Sequence, residues 1–504
     1  MMTWLTTILA LLPLAGALVT ALAKEAARTV GLLVSFATLA LGVVVGILFW
    51  QGTALDLSYD WLPQLGAGFT MTLDGMGAAM ALLTVFLVPF VLLSEWATER
   101  GGSYAALTLL VESFSLFVFL TGDVLVFYIF FEATLIPMYF LIGGWGSDQV
   151  AARAAALKFL LFGLAGGLIM LFGVVGVAAL SAGAAGAGGS PTLNIAELAG
   201  LDLGGSTLAK VTFVAFFVAF ALKAPMVPGH TWLPAAAAQS TPGGAALMVG
   251  VLDKLGTFGM VRFCLQLFPG ETDWATPVVV VLALISIFYG ALAALGQKNL
   301  MRLVAFTSIS HFGFMVLGIF ALTTPAVTGS IFYMVNHGLS TGALFLLVGY
   351  LIRRRGSAEI ASFGGVVKLA PVLAGFTLLA GLAGAALPGT SSFVSEFLVM
   401  AGTWPRFHVV AAIAAAGTIF AALYILWMYQ RVFTGPVPDD VGEAITGDLT
   451  LRERVAVIPL LIAILGLGFF PQPALHIIEP ASEAIVATAD AVDPAPVIIV
   501  EGVN

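Results

Sequence analysis

Six ionisable side chains stand inside apolar runs where a charge is costly. They are Glu132 in DVLVFYIFFEATLIPMYFLIG, Lys223 in FVAFALKAPMVPGHTWLPAAAAQSTP, Lys254 in ALMVGVLDKLGTFGMVRF, His311 in RLVAFTSISHFGFM, His337 in FYMVNHGLSTGALF and Glu396 in LPGTSSFVSEFLVMAG. A charge at the centre of a bilayer costs about 2.5–3.5 kcal/mol on insertion scales, so such residues mark ion pathways by default. Burial disfavours the charged form of an acid or a base, and an opposite charge close by restores it. Two acids, two lysines and two histidines on separate segments therefore suit proton movement, because shifting one charge switches the protonation of the next.

Each residue also has a plainer reading. Glu132 could be a neutral, hydrogen-bonded core carboxyl, and Lys223 could cap carbonyls freed by a broken helix. Lys254 could pair with the adjacent Asp253, although neighbours on a helix point about 100° apart. Glu396, one turn after Ser392, could steady a helix break, and either histidine could be a satisfied core residue. Glu112 in LLVESFSLF divides evenly between site and core, and Lys158, near the inner end of its segment, reads as a snorkelling lysine.

The elements that must hold these groups are transmembrane helices. The chain has 504 residues, 60% hydrophobic and 9% charged, with a mean hydropathy of +1.08, far from the composition of soluble domains. Segments long enough to span number about fourteen. They fall near 3–23, 29–50, 73–94, 104–121, 123–143, 153–180, 208–240, 243–268, 275–296, 300–322, 326–352, 369–402, 407–431 and 453–470. Lys and Arg, including the cluster Arg353, Arg354 and Arg355, collect on one side if both termini face the outer, periplasmic side. The first run lacks the basic region and cleavage site of a signal peptide and counts as a span. The glycine-rich stretch 181–207 reads as a flexible outer loop. The acidic tail with Glu479, Glu483, Asp490 and Asp493 reads as an outer, partly amphipathic helix.

Two of these segments should break in mid-membrane. Pro225, Pro228 and Pro234 follow Lys223, and Pro388 with Gly389 precedes Glu396; proline removes a donor and clashes with the preceding turn. Irregular backbone at that depth survives only where protein or water covers it. Paired interruptions in corresponding places are the mark of inverted repeats. The reading is an all-α polytopic membrane protein: helices 1–3 over 1–103, a first five-helix repeat over 104–268, an inverted second over 275–433, and a loop, last helix and tail over 434–504. The single cysteine, Cys264, excludes a disulfide framework or a cysteine-ligated cluster, and no basic run could track nucleic acid.

At FFEATLIPMYFLIG, ALKAPMVPGHTWLPAAAAQSTPGGAALMVGVLDKLGTFGMVRF and QKNLMRLVAFTSISHFGFMVLGIF the chain resembles the antiporter-like subunit M of proton-pumping NADH:quinone oxidoreductase, respiratory complex I. The resemblance runs from about residue 70 to 435. It implies a mid-membrane proton path in which Glu132 and Lys223 are the carboxylate–lysine pair, Lys254 the central lysine, His311 and His337 the bridging histidines and Glu396 the terminal residue. An acid at 396, where sister subunits carry lysine, is similar to subunit M in particular. Asp253 departs from the pattern, which commonly has an apolar residue there. The resemblance further implies no metal or cofactor in this chain, with NADH, FMN, iron–sulfur clusters and quinone held by partner complex I subunits, and a bacterial plasma membrane location. Multi-subunit sodium/proton antiporters are similar in fold and form the alternative, and a membrane scaffold is a third reading that mid-membrane charges argue against.

Overall fold

Hydrocarbon offers no hydrogen-bond partners, so a chain this apolar must satisfy its backbone within helices. The computed structural model describes residues 2–146, 148–184 and 189–489. In chain order its helices are α1 (Leu5–Leu22), α2 (Ala27–Trp50), α3 (Gly75–Ser94), α4 (Gly101–Leu120), α5 (Val124–Ala133), α6 (Leu135–Trp145) and α7 (Gln149–Gly183). There follow α8 (Ile195–Leu198), α9 (Thr207–Lys223), α10 (Leu233–Gln239), α11 (Pro242–Leu247), α12 (Lys254–Gly259), α13 (Thr272–Leu295), α14 (Leu300–Ala321) and α15 (Thr324–Arg355). The last are α16 (Pro371–Gly384), α17 (Ser391–Thr403), α18 (His408–Phe433), α19 (Asp439–Ala444), α20 (Leu451–Phe469) and α21 (Gln472–Thr488). Polar side chains start many of them: Asp74, Asp123, Asp148, Ser206, Thr241 and Asn299 each accept from first-turn N–H groups.

Among the described residues, 11 helical segments are long and apolar enough to cross a membrane; α20 with α21 adds a twelfth, bent by 70° at its break. Two further stretches are interrupted. After Lys223 the chain leaves the helix and resumes as a 3₁₀ turn at Gly229–Trp232 and then α10, so Pro225 and Pro228 lie in the gap. Pro234 does not break anything; it occupies the first turn of α10, where its missing N–H needs no partner. Pro388 and Gly389 lie in the second gap, between α16 and α17, where Gly389 adopts φ +93°, a conformation that favours glycine.

Burial orders the bundle. Over their most apolar 18 residues, the segment Pro242–Leu265 and α14 are wholly buried and α15 is 94% buried, against 22% for Lys24–Trp50 and 33% for α18. Small residues allow the close approach, since a Cβ on Gly290 would come 2.5 Å from the Ser310 nitrogen and one on Gly313 2.7 Å from the Ala283 oxygen. At the C-terminal end of α15, where cations complement the helix dipole, Arg353 pairs with Glu95, Arg355 with Asp440, and Arg354 with Glu453 at 2.6 Å. The arginines read as an orientation signal thus also fasten α15 to three loops or helix ends.

The stretch 181–207 is more ordered than its glycines suggest, with residues 185–188 outside the described residues. An antiparallel hairpin, β1 (Leu57–Leu62) and β2 (Ala67–Met71), pairs Tyr59 with Phe69. Leu193 donates to the Gly66 carbonyl, Val124 to the Leu193 carbonyl, and an isolated bridge joins Asp123 to Asn194. The buried Asp123 carboxylate accepts from Gly68, Leu125 and Val126, which locks hairpin, loop and helix start together. The tail forms α21, with Ile478, Ser482, Ile485 and Val486 buried on one face, while Asp490 and Asp493 lie outside the described residues.

Candidate functional site

The site begins where α5 gives way to α6. Glu132 sits in the last turn of α5 with Oε1 enclosed and without a hydrogen-bond partner, and its carboxyl lies against Gly167 of α7, where any Cβ would strike it. Lys223, the last residue of α9 and 5% exposed, reaches the same segment. Its Nζ donates to Thr134 Oγ1 at 3.3 Å and lies 5.0 Å from the Phe131 ring centroid and 5.8 Å from that of Phe159. Lys223 thus docks one residue before and two after Glu132. No ion pair closes between the two groups within 4.0 Å among the described residues. A lysine resting on ring faces rather than on a carboxylate has an alternative partner, which a mobile charge needs.

The carbonyls freed by the first break are met by others. Trp232 Nε1 donates to the Leu222 oxygen at 2.9 Å, and Lys158 Nζ donates to the Thr231 oxygen at 2.7 Å. The capping role weighed for Lys223 therefore falls to Trp232 and Lys158, the latter with its ammonium on an exposed backbone acceptor. The broken strand of chain is also tied to α13, since the Val227 N–H donates to Ser286 Oγ at 3.1 Å.

Lys254 is fully buried. It follows a π-helical turn, Met248–Leu252, and precedes another, Met260–Leu265; such insertions re-aim side chains at functional sites. Its Nζ donates to the Val249 oxygen at 2.7 Å, lies 2.5 Å from His337 Nδ1 and sits 4.8 Å from the Phe312 ring centroid. Asp253 turns elsewhere; both its oxygens lack a hydrogen-bond partner and it forms no ion pair with Lys254 within 4.0 Å among the described residues. The proposed neighbour pair is not made, for the helical reason that adjacent residues diverge.

From His337 of α15 the line continues to His311 of α14, with ring centroids 5.1 Å apart. His311 Nε2 lies 3.1 Å from the Tyr424 hydroxyl of α18, and its ring is 6.0 Å from that of Tyr333. Tyr333 donates to Glu396 Oε2 at 2.8 Å. Asn336 Nδ2 donates to the Ser391 oxygen at 2.9 Å and to Ser395 Oγ at 3.3 Å, fixing the start of α17 that carries Glu396. Lys254, His337, His311 and Glu396 thus share one tract. Glu132 and Lys223 form a second cluster, and Glu112, fully buried with both oxygens unpaired, stands apart on α4. Tyr333 and Tyr424 were not singled out from sequence; the available signal was Tyr333 one turn before His337. Among the described residues no group of three or more His, Cys, Asp or Glu could hold a metal ion.

Buried titratable groups joined in this way are chemically able to exchange protons. The model of the NADH:quinone oxidoreductase/Mrp antiporter transmembrane family matches residues 121–421. NADH-quinone oxidoreductase subunit M of Mycobacterium tuberculosis is 44% identical over 98% of this chain and 96% of its own length. NADH-ubiquinone oxidoreductase chain 4 of Arabidopsis thaliana is 35% identical over 91% of each. A chain of respiratory complex I from Thermus thermophilus superposes with a TM-score of 0.88 at 31% identity, covering 96% of this chain and 99% of that one. A chain of the Mrp complex from Dietzia sp. gives 0.84 at 25% identity, over 98% and 99%. With the matched region holding both interrupted helices and all six ionisable residues of the site, this chain belongs to the NADH:quinone oxidoreductase/Mrp antiporter family of transmembrane proteins.

Proposed function

We propose that this chain is the proton-translocating membrane subunit M of an NADH:quinone oxidoreductase, without a redox centre of its own, and that Glu132, Lys223, Lys254, His311, His337 and Glu396 form its relay. The observation that carries this reading is the tract from Lys254 through His337, His311 and Tyr333 to Glu396, all buried residues. Partner complex I subunits would hold NADH, FMN, iron–sulfur clusters and quinone. The reading counts the interrupted helices α9–α10 and α16–α17 as spans beside the 11 and the bent pair, which makes fourteen, and takes 104–268 and 275–433 as two inverted repeats in a bacterial plasma membrane with both termini outside.

In this reading Lys223 is the switch. Drawn to Glu132 it holds its proton; left against Thr134 and the ring faces it releases one toward Lys254. The proton then passes along the histidines and tyrosines to Glu396. The test is NADH-driven proton uptake into inverted membrane vesicles, measured beside NADH oxidation. Glu132→Gln should abolish coupled uptake with the subunit still assembled; normal uptake would overturn the assignment.

Sodium/proton exchange without redox drive is the second reading, favoured by the Mrp likeness. It requires sodium-dependent proton flux from a particle that does not oxidise NADH. The higher identity to complex I subunits supports the first.

A further inference from the structure

We infer that Asp253 is an additional protonation site of this relay, placed between Lys223 and Lys254; the inference rests on the proton-path reading above. Asp253 is fully buried, and neither carboxylate oxygen has a hydrogen-bond partner. An unpaired buried carboxyl is expensive, and one that serves only as structure would be expected to hold a donor. Lys254 follows it in the chain, and Lys223 ends the helix that packs one turn away at Gly256.

Helix geometry explains why it touches neither at rest. Lys254 faces α15 and His337. Gly256, three residues after Asp253 and on its side of the helix, packs against the end of α9: a Cβ there would come 2.6 Å from the Ala224 nitrogen and 2.6 Å from the Phe220 oxygen. Asp253 therefore lies one turn from the point where the helix meets Lys223–Ala224. The π-turn before it and the break after Lys223 are both places where backbone can shift. The hydrogen bonds of Lys223 go to Thr134 and those of Lys254 to Val249 and His337, so a proton passing from one lysine to the other needs a group between them. Asp253 supplies it. One N–H bond of the Lys223 ammonium breaks as an O–H bond forms on Asp253, leaving a neutral amine; that O–H then breaks as neutral Lys254 gains an N–H. No other reactant is needed.

The test uses the whole oxidoreductase reconstituted in vesicles, comparing Asp253→Asn, Asp253→Glu and Lys254→Met for protons moved per NADH oxidised. The inference expects Asp253→Asn to lower proton flux by about tenfold or more, Asp253→Glu to retain most of it, and Lys254→Met to abolish it. Infrared difference spectra on turnover should show a carboxyl band that shifts in Asp253→Glu and disappears in Asp253→Asn. Should Asp253→Asn fail to assemble, the shifted band in Asp253→Glu carries the test. Normal flux in Asp253→Asn with Lys254→Met inactive overturns the role of Asp253 alone. Normal flux in Lys254→Met overturns the relay reading and this inference with it. Loss of flux in both Asp253 variants with no responsive carboxyl band makes Asp253 structural and also overturns it.

Discussion

Lys254 Nζ lies 2.5 Å from His337 Nδ1, on facing helices and out of contact with solvent. A lysine with a proton to give and an imidazole lone pair to take it form one hydrogen bond that can host the proton at either end. His337→Gln keeps a polar side chain there but cannot pass a proton on. The expected outcome is coupled proton uptake lowered by about tenfold or more, with the complex assembled. Uptake at the parental rate would show that His337 is only a spacer.

Gly167 predicts an effect without any change of charge. A Cβ at this position would meet the Glu132 carboxyl, the far end of a flexible side chain, so Gly167→Ala should pack by pushing the carboxyl aside. Displacing a reacting group by about 1 Å costs up to about a hundredfold in rate. Proton uptake should therefore fall by tenfold or so while subunit abundance in the membrane stays normal. Equal losses of abundance and uptake would instead mean that the helix pair α5 and α7 had been forced apart.

Tyr333 donates to Glu396 and stands beside His311, which makes it the join between histidines and terminal acid. Tyr333→Phe keeps the ring and removes one hydrogen bond to an acid, worth about 1.5–3 kcal/mol when the acceptor is charged. Slower coupled uptake is expected, with a smaller effect from Tyr424→Phe, whose hydroxyl meets His311 and, among the described residues, makes no hydrogen bond to Glu396. The reverse order would reroute the path through α18.

The parts of this site legible in the sequence are those that violate the apolar background. Lys223 before Pro225, and Glu396 after Pro388, announce both a costly charge and the broken helix that tolerates it. The tyrosines do not stand out, because an aromatic residue in an apolar helix is ordinary filling; only distance reveals that Tyr333 touches Glu396. The divergence of Asp253 and Lys254 follows from helical geometry, but the π-turns around them have no composition of their own. The hairpin Leu57–Leu62 with Ala67–Met71 went unread because two short strands carry little periodicity against long apolar runs. The acceptor of Lys158 is not legible either, since an inner-end lysine looks the same in sequence whether it reaches for lipid headgroups or for the Thr231 carbonyl.

Asp74 gives a pH-dependent prediction at the helix start outside the spans. Burial would raise its carboxyl, but the Arg262 charge and hydrogen bond, with the Gly77 N–H, outweigh it and hold it below the usual carboxylate range. A depressed folded value means stability that is present above the unfolded value, about pH 4, and lost as pH falls through the folded one. With the Asp74 side chain 36% exposed, screening limits the pair to about 1 kcal/mol or less. Asp74→Asn should thus lower the apparent unfolding temperature slightly at pH 7, and the difference should vanish on acidification below about pH 4. A difference that persists in acid would point to the cap alone.

Lys158 offers the sharpest separation between surface and site. A snorkelling lysine can be truncated almost without effect, whereas this one holds the Thr231 carbonyl in the interrupted stretch that follows Lys223. The bond is exposed, so water can take the place of the ammonium and the loss stays at about 1 kcal/mol, but the segment it steadies is the one that aims the Lys223 switch. Lys158→Met, which keeps the stem but loses the ammonium, should therefore slow coupled uptake several-fold while NADH oxidation by the uncoupled complex persists. Lys158→Arg, able to reach the same carbonyl, should restore most of it. If Lys158→Met pumps like the parent, the bond to Thr231 is incidental and the break is held by Trp232 and Ser286 alone.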